Sequence, residues 1–133
     1  MASYFELPEY SAILTFVDAV FSQLNIGLLI YHLEEPEEPT SLKLIYANAE
    51  ASRCTGADLG TLTGKTILEA FPNLADTDLP RIYAEVTKQG KPQKVGVVRY
   101  EDAQLERATY SVKAFPMPSS CVGVLFENIP DAE

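Results

Sequence analysis

Apolar and polar residues change their spacing several times along the chain, and each change predicts an element. Between residues 9 and 24, Ile13, Phe16, Val17, Val20, Phe21 and Leu24 recur at helical spacing, with Ser11, Thr15, Asp18 and Ser22 away from them. That is the pattern of an amphipathic helix. Ile26 to Leu33 is almost continuously apolar and predicts a strand buried on both faces. Glu34-Glu35-Pro36-Glu37-Glu38-Pro39 combines prolines with like charges, which a central ladder does not accept, so it reads as an exposed hairpin loop. A second strand covers about Leu42 to Ala47.

Asn48 then breaks the strand. Its side chain is suited to accept from the free N–H groups of a starting helix. Gly56 is placed to end that helix and Gly64 to allow a second tight turn. Two or three short helices fill residues 48–77. Asp78 is placed to cap a longer helix over residues 79–89, with Pro80 in its first turn, Ile82, Tyr83 and Val86 on its buried stripe, and Gly90-Lys91-Pro92 as its stop. Three strands follow: Lys94 to Tyr100, Arg107 to Phe115, and a last one through Val122 to Ile129. Turns at 101–104 and 116–120 separate them. Two strands, a helical stretch and three more strands make an α+β domain without internal repeats.

At 133 residues the chain is one domain with room for an ordinary core. Its hydrophobic content of 47% is that of a globular protein. No apolar run is long enough to span a bilayer, so no membrane contact is expected of this segment. The N-terminus, Met1-Ala2-Ser3, lacks a basic region followed by an apolar one, so a signal peptide is not expected. The net charge is −9, from 19 acidic and 10 basic residues, and the basic residues are scattered. A surface that neutralises phosphates needs them clustered, so nucleic acid is not an expected partner. Two cysteines, Cys54 and Cys121, do not make a disulfide framework, and a reducing, cytoplasmic setting is the simpler expectation.

Candidate chemistry is sparse. His32 is the only histidine and reads as a packed or partly exposed strand residue. With the two cysteines it has no metal-ligand spacing. Gly60-Thr61-Leu62-Thr63-Gly64-Lys65-Thr66 imitates a phosphate loop, but three residues separate the glycines instead of four, and a helix precedes instead of a strand. The carboxylates form a solvated run at Glu34 to Glu38 or sit at turns, such as Asp76 and Asp78. No acid, base and nucleophile come together, so no catalytic residue is assigned.

Leu44-Ile45-Tyr46-Ala47-Asn48-Ala49, the short helix to Gly56, and Leu62-Thr63-Gly64-Lys65 together resemble the PAS-domain pattern of strand, asparagine turn, short helix and Leu-x-Gly-Lys turn. Ile67-Leu68-Glu69-Ala70-Phe71-Pro72 is similar to the family's next segment, and Val122 to Ile129 to its closing strand. The resemblance runs over about residues 24–129. It departs from the family at Asn128-Ile129-Pro130, where Asp-Ile-Thr is common.

The resemblance implies a five-stranded antiparallel sheet with short helices on one face and an N-terminal amphipathic helix. It divides the chain into a flanking helix at 1–23, the PAS domain at 24–130 and a tail at 131–133. It implies a regulatory sensor or dimerisation domain of a larger signalling protein, such as a sensor histidine kinase, with the output domain in the same polypeptide. A module that binds only protein is the alternative, and a small enzyme a more distant one.

In such folds a small molecule sits between the inner sheet face and the helices. The matching residues are Leu28, Ile30, Tyr46, Ile67, Phe71, Ile82, Tyr83, Val97, Arg99, Tyr110 and Val112. The flanking helix, through Ile13, Phe16, Val17 and Val20, implies a homodimer or simply a cover for its own sheet. No cofactor is assigned. A flavin adduct is not expected, because Ser52-Arg53-Cys54-Thr55-Gly56 puts the cysteine in another register from the photoactive motif. Haem is not expected, because residues 79–89 hold no histidine.

Overall fold

The computed structural model describes residues 8–55, 58–100 and 108–128, with side chains for all of these except 8–14, 22, 54–55, 73, 96–100, 108–110 and 128. Helix α1 (Pro8–Leu24) leads into strand β1 (Gly27–Leu33). Strand β2 (Leu42–Ala47) is followed by helices α2 (Ala49–Thr55), α3 (Ile67–Ala70) and α4 (Leu79–Gln89). Strands β3 (Gln93–Tyr100), β4 (Ala108–Met117) and β5 (Cys121–Asn128) complete the order. The sheet runs β2-β1-β5-β4-β3 with every neighbouring pair antiparallel. The helical stretch carries the chain from one edge strand to the other. Gly56 and the turn expected at 101–104 lie outside the described residues.

The ends of α1 and α4 have local causes. α1 stops at Asn25, whose φ of 58° is left-handed, and the N–H of Ile26 returns to the carbonyl of Phe21 at 3.0 Å. Asparagine tolerates that conformation better than most residues, and the returning bond satisfies a carbonyl the helix leaves open. α4 ends at Gly90, φ 70°, whose N–H reaches the Val86 carbonyl at 2.9 Å. Asp78 precedes α4 as expected, but its side chain makes no cap bond. The Thr77 hydroxyl accepts the Leu79 N–H instead, at 3.3 Å, and Asp78 pairs with Arg81 at 3.4 Å.

The sheet separates two apolar layers. Its inner face carries Leu29, Tyr31, Leu33, Leu42, Leu44, Val112, Ala114, Val122, Val124 and Phe126, packed on residues of α2, α3, α4 and the intervening turns. Its outer face carries Leu28, Ile30 and Cys121, with Ile45, Tyr46, Phe115, Met117 and Leu125, and α1 covers part of it through Val17 and Phe21. β1 is therefore buried on both faces, as its unbroken apolar run requires. Among the described residues no helix is long and apolar enough to cross a membrane.

Two glycines give room to cross-strand aromatic rings, one on each face. Gly27 pairs with Phe126 and Gly123 with Phe115. A Cβ added at Gly27 would stand 2.6 Å from the Phe126 ring, and one at Gly123 would stand 2.3 Å from the Phe115 ring. Neither ring can lie where it does over a larger residue. Gly123→Ala is expected to cost about 1–3 kcal/mol in urea unfolding through overpacking. Most of that loss should disappear in the Phe115→Ala background; equal losses in both backgrounds would refute the ring contact as the cause.

Candidate functional site

The residues that position the two faces meet at Asn48, which is 1% exposed. Its Oδ1 accepts from the Leu28 N–H at 3.0 Å and from the Ala51 N–H at 2.8 Å. Its Nδ2 donates to the Ile26 carbonyl at 3.1 Å, and its own N–H donates to the Leu28 carbonyl at 3.1 Å. One amide thus caps α2 and fixes the start of β1 against the end of β2. Beside it, the buried carboxylate of Glu50 takes the guanidinium of Arg53, with Nε donating to Oε1 at 3.0 Å. Burial without such partners would cost several kcal/mol per charge, as an order of magnitude.

α1 is tied to the same node. The Asp18 carboxylate accepts the Ala49 N–H at 2.8 Å, at the first residue of α2, where a negative charge is favoured. Asp18 also acts on Tyr46. Burial first, and then the Asp18 charge, push the Tyr46 phenol up from 10.0 to about 12.

Three expected pocket residues stand on the other side of the sheet. Leu28, Ile30 and Tyr46 belong to the outer layer beneath α1, whereas Ile67, Phe71 and Tyr83 belong to the inner one. Two causes reverse the expected facing. In β1 an unbroken apolar run has no alternation from which to read phase, and a one-residue shift exchanges the faces. In β2 the register steps from Ile30↔Tyr46 to Tyr31↔Leu44, leaving Ile45 as a bulge. The extra residue turns Tyr46 outward, away from the side of Leu44. The inner positions are Leu29, Tyr31 and Leu33, which sequence reasoning missed. The usable signal was His32, the most polar side chain in the strand, which marks the even-numbered positions as outward; the structure leaves it half-buried.

On the inner face Tyr31 stacks on Tyr83 of α4, with ring centroids 5.9 Å apart and planes 22° apart. Such an offset pair adds about 0.5–1.5 kcal/mol beyond its buried area. Burial holds the Tyr83 phenol above its ordinary range. Ile82 is partly buried against this layer, and Val112 is part of it. Val97, Arg99 and Tyr110 lie in β3 and β4, with Val98 opposite Tyr110 and Arg99 opposite Thr109. Their side chains fall outside the described residues.

α1 has two apolar sides. Val17 and Phe21 face the sheet. Phe16, Val20 and Leu24 are 73%, 53% and 55% exposed and follow one another at intervals of four, so they share one face. Leu24 is the member of this stripe not singled out as a contact from sequence, and the Ile13 side chain falls outside the described residues.

Among the described residues the remaining polar side chains make no reactive centre. The His32 imidazole contacts the Glu34 carboxylate through Nδ1, and Cys121, opposite His32 across β1–β5, is buried. Burial, then the Glu34 charge, push the Cys121 thiol up, away from the thiolate that nucleophilic chemistry needs. Among the described residues no three His, Cys, Asp or Glu side chains are grouped to hold a metal ion.

The architecture matches known proteins. The family model described as PAS fold matches residues 40–128, and the chain belongs to that family. A domain of a sensory box sensor histidine kinase/response regulator from Geobacter sulfurreducens aligns with a TM-score of 0.64 at 11% identity, over 92% of this chain and 98% of that one. The Rhodobacter sphaeroides LOV protein gives a TM-score of 0.64 at 18% identity, over 90% and 68%. The PAS domain of nitrogen regulation protein NR(II) from Vibrio parahaemolyticus gives 0.62 at 13% identity, over 85% and 97%. At these identities the likeness is one of fold. No curated protein matches the sequence.

Asn48→Ala is expected to lower unfolding stability by about 2–4 kcal/mol, because it removes a helix cap and takes the side-chain acceptor from the buried Leu28 N–H. Asn48→Asp keeps the acceptor and loses the donor to the Ile26 carbonyl, so it should fall between. An alanine variant within about 0.5 kcal/mol of the parent, the usual range for surface changes, would remove Asn48 from its central place.

Tyr46 supplies a pH test. Its folded pKa lies above its unfolded value, so this group leaves stability unchanged below pH 10.0 and lowers it as pH rises through about 12. Tyr46→Phe should flatten that alkaline loss. In an ultraviolet titration Asp18→Asn should lower the Tyr46 pKa yet leave it above 10.0, since burial is the larger cause. A fall all the way to 10.0 would show that the charge, not burial, controls it.

Proposed function

We propose that this domain is a regulatory sensing and dimerisation module of a longer cytoplasmic signalling protein, itself without catalytic activity, and that α1 is the contact between two copies. The observation that carries this reading is the exposed stripe Phe16, Val20 and Leu24 on a helix whose adjacent side, through Val17 and Phe21, is already seated on the sheet. The likeness to a domain of a sensor histidine kinase/response regulator and to the PAS domain of a nitrogen regulation protein supports a signalling role with an output domain in the same polypeptide.

Six such side chains, each already partly covered, would gain roughly 5–10 kcal/mol gross on pairing. Association costs about 4–15 kcal/mol in lost freedom. The two are close, so pairing through this stripe alone is weak and reversible, which suits a population shift between arrangements. In this reading the signal enters on the inner face, where a small apolar molecule would meet Ile67, Phe71 and Tyr83. It reaches α1 through α2 and the Asp18–Ala49 bond.

Light scattering at increasing concentration is expected to show a dimer for the parent chain and a monomer for Phe16→Glu/Val20→Glu, with the melting temperature little changed. Val17→Glu should instead lower stability, because Val17 packs on its own sheet. A doubly substituted protein that keeps the dimer mass would sink the interface, and a parent chain that stays monomeric throughout would sink the dimer.

A further inference from the structure

The outer face is not all covered by α1. Toward the β3 edge it holds a groove of about 370 Å³ whose lining includes Ile26, Lys94, Ser111, Lys113, Leu125 and Glu127, together with Val112 and Phe126 of the same strands. We propose that this groove is a binding site for a small amphipathic carboxylate, a singly charged acid with an apolar body, distinct from the inner-face position.

Charge placement is the first reason. Lys94 and Lys113 are direct partners across β3–β4. Like charges set opposite each other repel. The chain carries 19 acidic residues, yet among the described residues no carboxylate pairs with either lysine. Glu127 lines the same groove but stands opposite Ser111. An anion between the two ammonium groups would turn this repulsion into attraction.

The second reason is the lining. Ile26, Leu125 and the lysine stems are apolar, and the Ser111 hydroxyl adds a donor. Cationic and hydroxyl donors above an apolar wall recognise a polar head on an apolar body. Glu127 disfavours a doubly charged phosphate and leaves a monoanion as the better fit. The volume lies near the lower end of the range of about 300–1,000 Å³ for small-molecule sites. A medium chain or a single ring fits that size.

The site also adjoins the end of α1. Ile26 lines the groove and supplies the N–H that closes α1 on the Phe21 carbonyl. An occupant therefore touches the residue through which α1 leaves the sheet.

The test is a titration of the full 133-residue chain with decanoate and, in parallel, with uncharged decanol, followed through amide chemical shifts. Saturable decanoate binding is expected, with the largest shifts at Ile26, Ser111, Lys113 and Leu125, and decanol weaker by about tenfold or more. Lys94→Gln/Lys113→Gln should weaken decanoate by about tenfold while leaving decanol nearly unchanged. Lys88→Gln, which alters a lysine paired with Glu37 elsewhere, should do neither. Both groove lysines are exposed and mutually repelling, so the double variant should melt no lower than the parent; Lys113→Gln alone serves if it does not fold. Equal binding of decanoate and decanol, absence of saturation, or shifts centred on Phe71 and Tyr83 would overturn the site.

Discussion

The hydrogen bonds of Asn48 are the constraint on which the rest of the domain depends. A single buried amide satisfies the Ala51 N–H in the first turn of α2, the Leu28 N–H of β1 and the Ile26 carbonyl between α1 and β1. A backbone group left unpaired in such a place costs about 1–3 kcal/mol, a large share of a marginal stability. The amide therefore does more than start a helix. It sets the angle at which the chain leaves β2, so that α2, α3 and α4 fall on the inner face and α1 remains on the outer one.

The bulge at Ile45 has a comparable reach. It places Tyr46 beneath α1 beside Asp18, and returns Ala47 to the inner layer. Asp18 then links α1 to α2 at the residue after Asn48. The outer and inner layers are joined within a few residues, and a displacement of α2 is transmitted to α1 through a hydrogen bond rather than through loose packing. The path is local, and both ends of it are helices whose seating is only partly hydrophobic.

The outer face divides into three regions of different chemistry. Val17 and Phe21 seal the part over β1 and β2. The stripe at Phe16, Val20 and Leu24 turns an apolar surface outward. The β3–β4–β5 part holds the groove, with two lysines that pair with no carboxylate among the described residues. The acidic hairpin from Glu34 to Glu38 lies at the far end of β1 and engages Lys88 and His32 instead.

Local chemistry determined much of this in the sequence alone. Helical spacing marked α1 and α4, turn residues marked the breaks, and Asn48 announced the strand-to-helix turn because no nearby residue competes for that role. Their order, with Gly64-Lys65 and the closing strand, was enough for the five-stranded α+β architecture. In β1 only His32 hinted at the facing, and the facing of β2 was not legible. Leu28 and Leu29, or Ile30 and Tyr31, have equal claims to either side of a strand buried on both. The bulge that turns Tyr46 outward is a property of pairing with β1, not of β2. Nor does helical spacing say which of two apolar stripes on α1 meets the sheet. Those choices belong to the tertiary structure, because each is decided by residues far apart in sequence that compete for one buried surface.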